Sequence, residues 1–225
     1  MAFANRIKAK TDNSLYNVYL PVEGTDEFPL SDGKFKKGGT SCVSIDIAIK
    51  NFAIRREVWH SHKDVKPELF HKINFAGEKE SGTASINPDV LVSANDFLNE
   101  IFEEHIKTAN IILIERQLAV SPKNRSMFDL VLNFIISRRK YLKEDVILMD
   151  INPKAKSKIL RPKVRMTSNE LKKWCIDEAM KILEKRNDEW SIKWLQHHKG
   201  TSKTKADDLA DTVIQMEALY QLINK

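Results

Sequence analysis

Acidic side chains stand at three places in this sequence where acids are disfavoured. Asp46 lies between Ile45 and Ile47 in a strictly alternating stretch, and aspartate is unfavourable within a strand. Glu115 closes the apolar run Ile111–Ile114, where a buried charge is costly unless it is paired or bound to metal. Asp208 and Asp211 are three apart at the start of a helical pattern, so they share a face and repel each other. A helix N-terminus relieves that repulsion in part, and a divalent cation relieves it far better. Carboxylate oxygens suit magnesium, which binds a few acids and keeps several waters. Two such ions about 4 Å apart can activate a water and stabilise a leaving 3′ oxygen, which is phosphodiester hydrolysis. Asp46 would bridge the ions, with Glu115, Asp208 and Asp211 completing their shells. Each acid alone has an ordinary explanation. Asp46 could belong to an edge, Glu115 could be an exposed strand end paired with Arg116, and Asp207, Asp208 and Asp211 could be acids placed near a helix start.

The elements that must hold these acids are legible as patterns. Residues 41–49 alternate, with Val43, Ile45, Ile47 and Ile49 on one side, and this predicts a strand. A tight Lys50-Asn51 turn leads to a second strand over 52–59, and 69–75 reads as a third. Ser93 is positioned to cap a helix over 93–107, with Phe97, Leu98, Ile101 and Phe102 at helical spacing. Residues 111–114 form a buried strand closed by Glu115, and Ser121-Pro122 opens another helix. Residues 146–149 form the fifth strand. Thr167-Ser168-Asn169-Glu170 is a capping box, and 206–223 is the last helix. The expected fold is α/β, a mixed five-stranded sheet flanked by helices over residues 39–225. Residues 1–38 read as an N-terminal extension in which Tyr16, Val18 and Leu20 could add one short edge strand.

Charge and composition narrow the partners. With 37 Lys and Arg against 31 Asp and Glu, the formal charge is +6, which favours an anionic partner such as nucleic acid. Residues 154–165 carry Lys154, Lys156, Lys158, Arg161, Lys163 and Arg165 without an acid. If that segment is extended, its first three lysines point to one side. Residues 197–205 carry Lys199, Lys203 and Lys205 and run into the acidic helix. With Lys50, Arg116, Lys123 and Arg125, these lysines are the candidates for phosphate contacts. His197-His198 lacks partners at zinc-ligand spacing, and no Cys-x-x-Cys pair exists. Cys42 and Cys175 read as buried free thiols, which suits a reducing, intracellular setting. No apolar run approaches the ~18 residues of a membrane span, and no small-molecule cofactor motif is present. The helix after Pro122 is apolar on nearly all faces. It is either a central core helix or one that offers Phe128, Leu132, Ile135 and Ile136 to a second copy.

Three blocks carry a family resemblance: Ser44-Ile-Asp46-Ile-Ala-Ile-Lys50-Asn51-Phe-Ala53, Ile114-Glu115-Arg116-Gln117 with Ser121-Pro122, and Lys205-Ala-Asp207-Asp208-Leu-Ala-Asp211. Their order resembles the RuvC-like Holliday junction resolvases of the ribonuclease H-like superfamily, in the branch of poxviruses, large DNA viruses and mitochondrial resolvases. That family has Asp on the first strand, Glu at the end of the fourth and two Asp on the late helix. The resemblance implies a homodimer that nicks four-way and other branched DNA in pairs. It also implies two magnesium ions per site, with manganese as a substitute, and residence where viral DNA replicates, or in mitochondrion or nucleus. Asp208 and Asp211 match the family spacing better than Asp207. Departures are Ala48 in place of a glycine, Leu118-Ala119-Val120 in place of a basic pair, and a longer N-terminal arm. The rival readings are a ribonuclease H-type enzyme cutting RNA in hybrids and a non-catalytic branched-DNA-binding protein.

Overall fold

The computed structural model describes residues 15–20, 30, 34–76, 85–117, 121–160, 166–198 and 206–224. Strands β1 (Tyr16–Leu20), β2 (Thr40–Asp46), β3 (Phe52–Trp59), β4 (Val65–Ile73), β5 (Ile111–Glu115) and β6 (Ile147–Ile151) form one sheet in the order β1-β6-β5-β2-β3-β4. The middle strands β6, β5 and β2 are parallel, while β3, β4 and β1 are antiparallel to their neighbours. Six strands therefore replace the expected five, because Tyr16–Leu20 pairs with β6 along the sheet edge.

Helices α1 (Pro88–Ile101), α2 (Pro122–Ser137), α3 (Pro153–Leu160), α4 (Ser168–Lys185), α5 (Glu189–His198) and α6 (Ala206–Ile223) cover both faces. Every residue of β2 is buried, as a strand covered on both sides must be. Its alternation sends Val43 and Ile45 to one core, with Ile112, Ile114, Leu98, Phe128, Val131 and Ile135 from β5, α1 and α2. Cys42 faces the other side, toward Met216, Leu219 and Tyr220 of α6. Both cysteines are buried free thiols. Among the described residues, no helix is long and apolar enough to cross a membrane.

Several boundaries differ from the expectation for identifiable reasons. Strand β2 stops at Asp46, so the acid ends the strand instead of sitting within it. Strand β4 begins earlier, at Val65, and includes Pro67; an edge strand tolerates a missing N–H, and the ladder is bulged beside it. Helix α1 starts at Pro88, not at Ser93, because Asn87 Oδ1 accepts the Asp89 N–H at 3.0 Å. A π-helical turn, Phe102–Ile106, closes it. The capping box at Thr167 and Glu170 forms as read, with both reciprocal hydrogen bonds present. The basic stretch from Lys154 is helical to Leu160, since Asn152 Oδ1 accepts the Lys154 N–H at 2.9 Å and Pro153 sits in the first turn.

Candidate metal centre

Parallel pairing of β2 with β5 brings Ile45 opposite Ile114, so Asp46 and Glu115 emerge side by side at the carboxyl ends of adjacent strands. Helix α6 crosses that edge and delivers Asp211 from its first turns. One carboxylate oxygen from each of Asp46, Glu115 and Asp211 lies within 4.8 Å of the others. Asp46 and Glu115 are each only 7% exposed. Burial pushes the Asp46 carboxyl well above its usual range, and the neighbouring Glu115 charge pushes it further. Burial also raises Asp211, against the opposing pull of Lys156. Asp211 Oδ1 is buried and accepts no hydrogen bond from the described residues. Three hard oxygen donors, an excess of negative charge and an orphaned oxygen fit a divalent cation of the magnesium or manganese kind.

The fourth expected acid is not in this group. Asp208 turns toward β4, where Lys72 Nζ lies 3.0 Å from its Oδ2, and burial raises its pKa to about 6. Asp207 points away to α4, with Lys172 Nζ at 3.1 Å.

Lys156 faces the trio instead of solvent. It does not face solvent in line with Lys154 and Lys158, because a helix replaces the extended segment and turns it inward. Its Nζ lies 2.5 Å from Asp211 Oδ2 and 3.5 Å from Glu115 Oε1. Burial alone would lower its pKa, yet the charges of Asp211, Glu115 and Asp46 raise it, so the ammonium stays charged.

Two residues without a conspicuous local signal also organise the site. Gln215 Nε2 donates to Glu115 Oε2 at 3.1 Å, while its Oε1 accepts from Ser44 Oγ at 2.8 Å. Gln215 lies four residues beyond Asp211 on α6, so helical spacing could have found it. Asp150 on β6 is 1% exposed and gathers the Asn17 backbone N–H and Nδ2, Tyr19 Oη, and Arg116 Nε and Nη2. Arg116 therefore pairs with Asp150, not with Glu115. Partial burial, with the Asp150 carboxylate alongside, raises the pKa of the Tyr19 hydroxyl to about 12.

Of the other candidate DNA contacts, Lys50, Arg125, Lys154 and Lys158 are exposed and Lys123 is half-buried. Arg125 is engaged by Asp129 one turn on. Lys199, Lys203 and Lys205, like Arg161, Lys163, Arg165 and Leu118-Ala119-Val120, lie outside the described residues. On α2, Phe128 and Ile135 are wholly buried against the sheet, so they are core residues and not surface for a second copy. Leu132 is half-buried and Ile136 is 39% exposed.

No protein-family model matches the chain, and no curated protein sequence matches it. Solved structures do. RuvC of Thermus thermophilus, in complex with Holliday junction substrate, superposes with a TM-score of 0.50 at 13% identity, over 80% of this chain and 97% of that one. The chain has the RuvC fold. Weaker superpositions are with the yeast mitochondrial Holliday junction resolvase Ydc2, at a TM-score of 0.49 and 16% identity over 86% of both chains, and with another Thermus thermophilus RuvC structure, at 0.48 and 11% over 78% of this chain and 92% of that one.

Proposed function

We propose that this chain is a divalent-metal-dependent endonuclease that resolves four-way DNA junctions. The observation that carries this reading is the carboxylate trio: Asp46, Glu115 and Asp211 converge at the carboxyl edge of a RuvC-type sheet. Ligands of α/β sheets bind at that edge. The reaction is attack of water on a backbone phosphorus, with the P–O3′ bond breaking to leave 5′-phosphate and 3′-hydroxyl ends. Divalent cations held by the trio would supply a water of lowered pKa and neutralise charge on the phosphoryl group. Asp208, on the same helix face as Asp211 and paired with Lys72, would be the fourth acid able to hold a cation. Gln215 holds Glu115 in orientation, and the exposed Lys50, Lys154 and Lys158 grip phosphates around the edge without reading sequence. Paired nicking uses a two-fold dimer, for which Leu132 and Ile136 remain the available part of the α2 face.

The test is cleavage of a synthetic four-way junction in magnesium or manganese, with the nicks mapped on all strands. Symmetric paired nicks that vanish in Asp46→Asn are expected. Cleavage confined to RNA/DNA hybrids would assign the site to ribonuclease H-type chemistry. Junction binding without any cutting would make the chain a binding protein alone.

A further inference from the structure

Lys156 reaches into the carboxylate trio from α3. Helix α3 turns directly off β6 and sends this one lysine inward, with 8% of its side chain exposed, while Lys154 and Lys158 of the same helix face solvent. Its ammonium contacts Asp211 Oδ2 and Glu115 Oε1, and these two acids with Asp46 supply the three oxygens that cluster within 4.8 Å. An ammonium against Asp211 and Glu115 disfavours a divalent cation on the same carboxylates, since like charges a few ångströms apart in a buried site repel strongly. Lys156 thus supplies the trio with a cation from the chain itself.

We propose that Lys156 closes the metal site in the absence of DNA, and that a backbone phosphate opens it by drawing the ammonium away from Asp211 and Glu115. The proposal rests on the nuclease reading above. The lysine stem is long and flexible, so Nζ can exchange a carboxylate partner for a phosphate oxygen while α3 stays in place. The released oxygens are then free to ligate. Because binding coupling is reciprocal, DNA must raise the affinity for metal by the same factor that metal raises the affinity for DNA. Loading is thereby restricted to DNA that sets a phosphate beside Lys156, which adds a layer of substrate selection before any bond is broken.

Manganese binding to the metal-free protein, followed by the paramagnetic resonance signal of the free ion, tests this without an activity readout. Without DNA, Lys156→Met is expected to bind Mn2+ about tenfold more tightly than the wild type, and Lys156→Arg to bind like the wild type, within the usual range of coupling between sites. Adding a four-way junction with cleavage-resistant linkages, with the Mn2+ held by that junction alone subtracted, should tighten Mn2+ binding about tenfold in the wild type and leave Lys156→Met nearly unchanged. Lys156→Gln, a shorter neutral variant, guards against misfolding of the methionine form. If both neutral variants fold and bind Mn2+ no more tightly than the wild type, the gate is wrong while the nuclease reading stands. If no form binds Mn2+, with or without the junction, both fall.

Discussion

Two clusters of buried charge lie on the same face of the sheet, one pleat apart. In one, Ser44 and Arg55 pair across β2 and β3; two residues on, Asp46 opens the other. The first is closed. Arg55 donates to Glu57 at 2.6 Å, Asp188 at 2.8 Å and Ser191 at 2.7 Å, and Arg186 binds Glu217 at 2.8 Å. Trp59 Nε1 caps the remaining Glu57 oxygen at 2.7 Å. Burial would raise the Glu217 carboxyl, but Arg186, with Gln221 and His62, holds it low. The second cluster has three acids around Lys156, and there burial prevails: Asp46 and Asp211 are pushed up. The difference lies in charge balance, not depth. A network with its cations built in ties β3 to the turn between α4 and α5. A network short of cations is a receptor for one.

Substitutions should split along that line. Glu115→Gln is expected to lower junction cleavage about a thousandfold or more, because several kcal/mol of transition-state stabilisation pass through the metal site. Its thermal midpoint should hold or rise, since one of three mutually repelling charges is gone. Arg55→Met should do the reverse. It takes the nearest cation from two buried acids, leaving Glu57 with Trp59 Nε1 and Arg186 Nη1 at 3.6 Å and Asp188 with the Ser191 N–H, at a cost of up to about 3–5 kcal/mol, while the folded fraction keeps its cleavage rate. Melting curves beside single-turnover rates read both. If Arg55→Met left stability unchanged, the contrast between a structural and a receptive network would collapse.

Asp208, beside the trio on α6, and Glu217 of the closed network should respond to pH with opposite sign. Asp208, with its pKa raised to about 6, binds its proton more tightly folded than unfolded. Its contribution to stability is therefore present in acid and is lost as pH rises from about 4 through about 6. Glu217 is held low, so its contribution is present at neutral pH and lost as pH falls through its depressed value. Asp208→Asn should accordingly stabilise the metal-free protein at pH 7 and change little at pH 4, whereas Glu217→Gln should destabilise it at pH 7. Magnesium competes with protons for the raised carboxyls, so its thermal shift should be larger at pH 8 than at pH 5.5. A magnesium shift that grew toward acid would contradict the assignment.

Gln215 sharpens the comparison at smaller scale, since it is the polar link between Ser44 and Glu115. Gln215→Leu should weaken metal affinity about 10- to 100-fold, as loss of an orienting partner does. Titration of the thermal midpoint with Mn2+ measures it, and an unchanged titration would reduce Gln215 to core packing.

How far this was legible in the sequence depended on whether a signal was local. Strand β3 and helix α6 follow uninterrupted patterns and match the reading at both ends. Two helix starts were missed for one reason: Asn87-Pro88 and Asn152-Pro153 both cap through the asparagine side chain, while Ser93 and the alternating lysines carry more conspicuous local signals. Lys154, Lys156 and Lys158 have strand spacing, but Ala155 and Ile159 have helix spacing, and the buried alanine decided. Asp46 and Glu115 were visible because acids stood out against apolar strands, and Asp211 because it lies three residues from Asp208 on one helix face. The separation of Asp208 was not, since its capture by Lys72 depends on how β4 pairs with β3, and no short stretch encodes that register. Asp150 was missed because its partners Asn17, Tyr19 and Arg116 come from distant segments that only the sheet brings together.

The smallest effects should come from cations that belong to neither cluster. Lys50 and Lys154 are exposed, so their contribution to folding is close to nil and their value lies in gripping phosphate. Each alanine substitution should weaken junction binding modestly and uniformly across sequences. It should also reduce the slope of log affinity against log salt by about one unit for each lysine removed. Melting should not change. The buried Lys156 is the internal control on the same helix as Lys154: replacing it should move metal binding, while replacing Lys154 should move only the salt dependence. Equal effects of the two on metal affinity would mean that burial beside Asp211 confers no special role on Lys156, and the charge-balance distinction between the networks would lose its sharpest support.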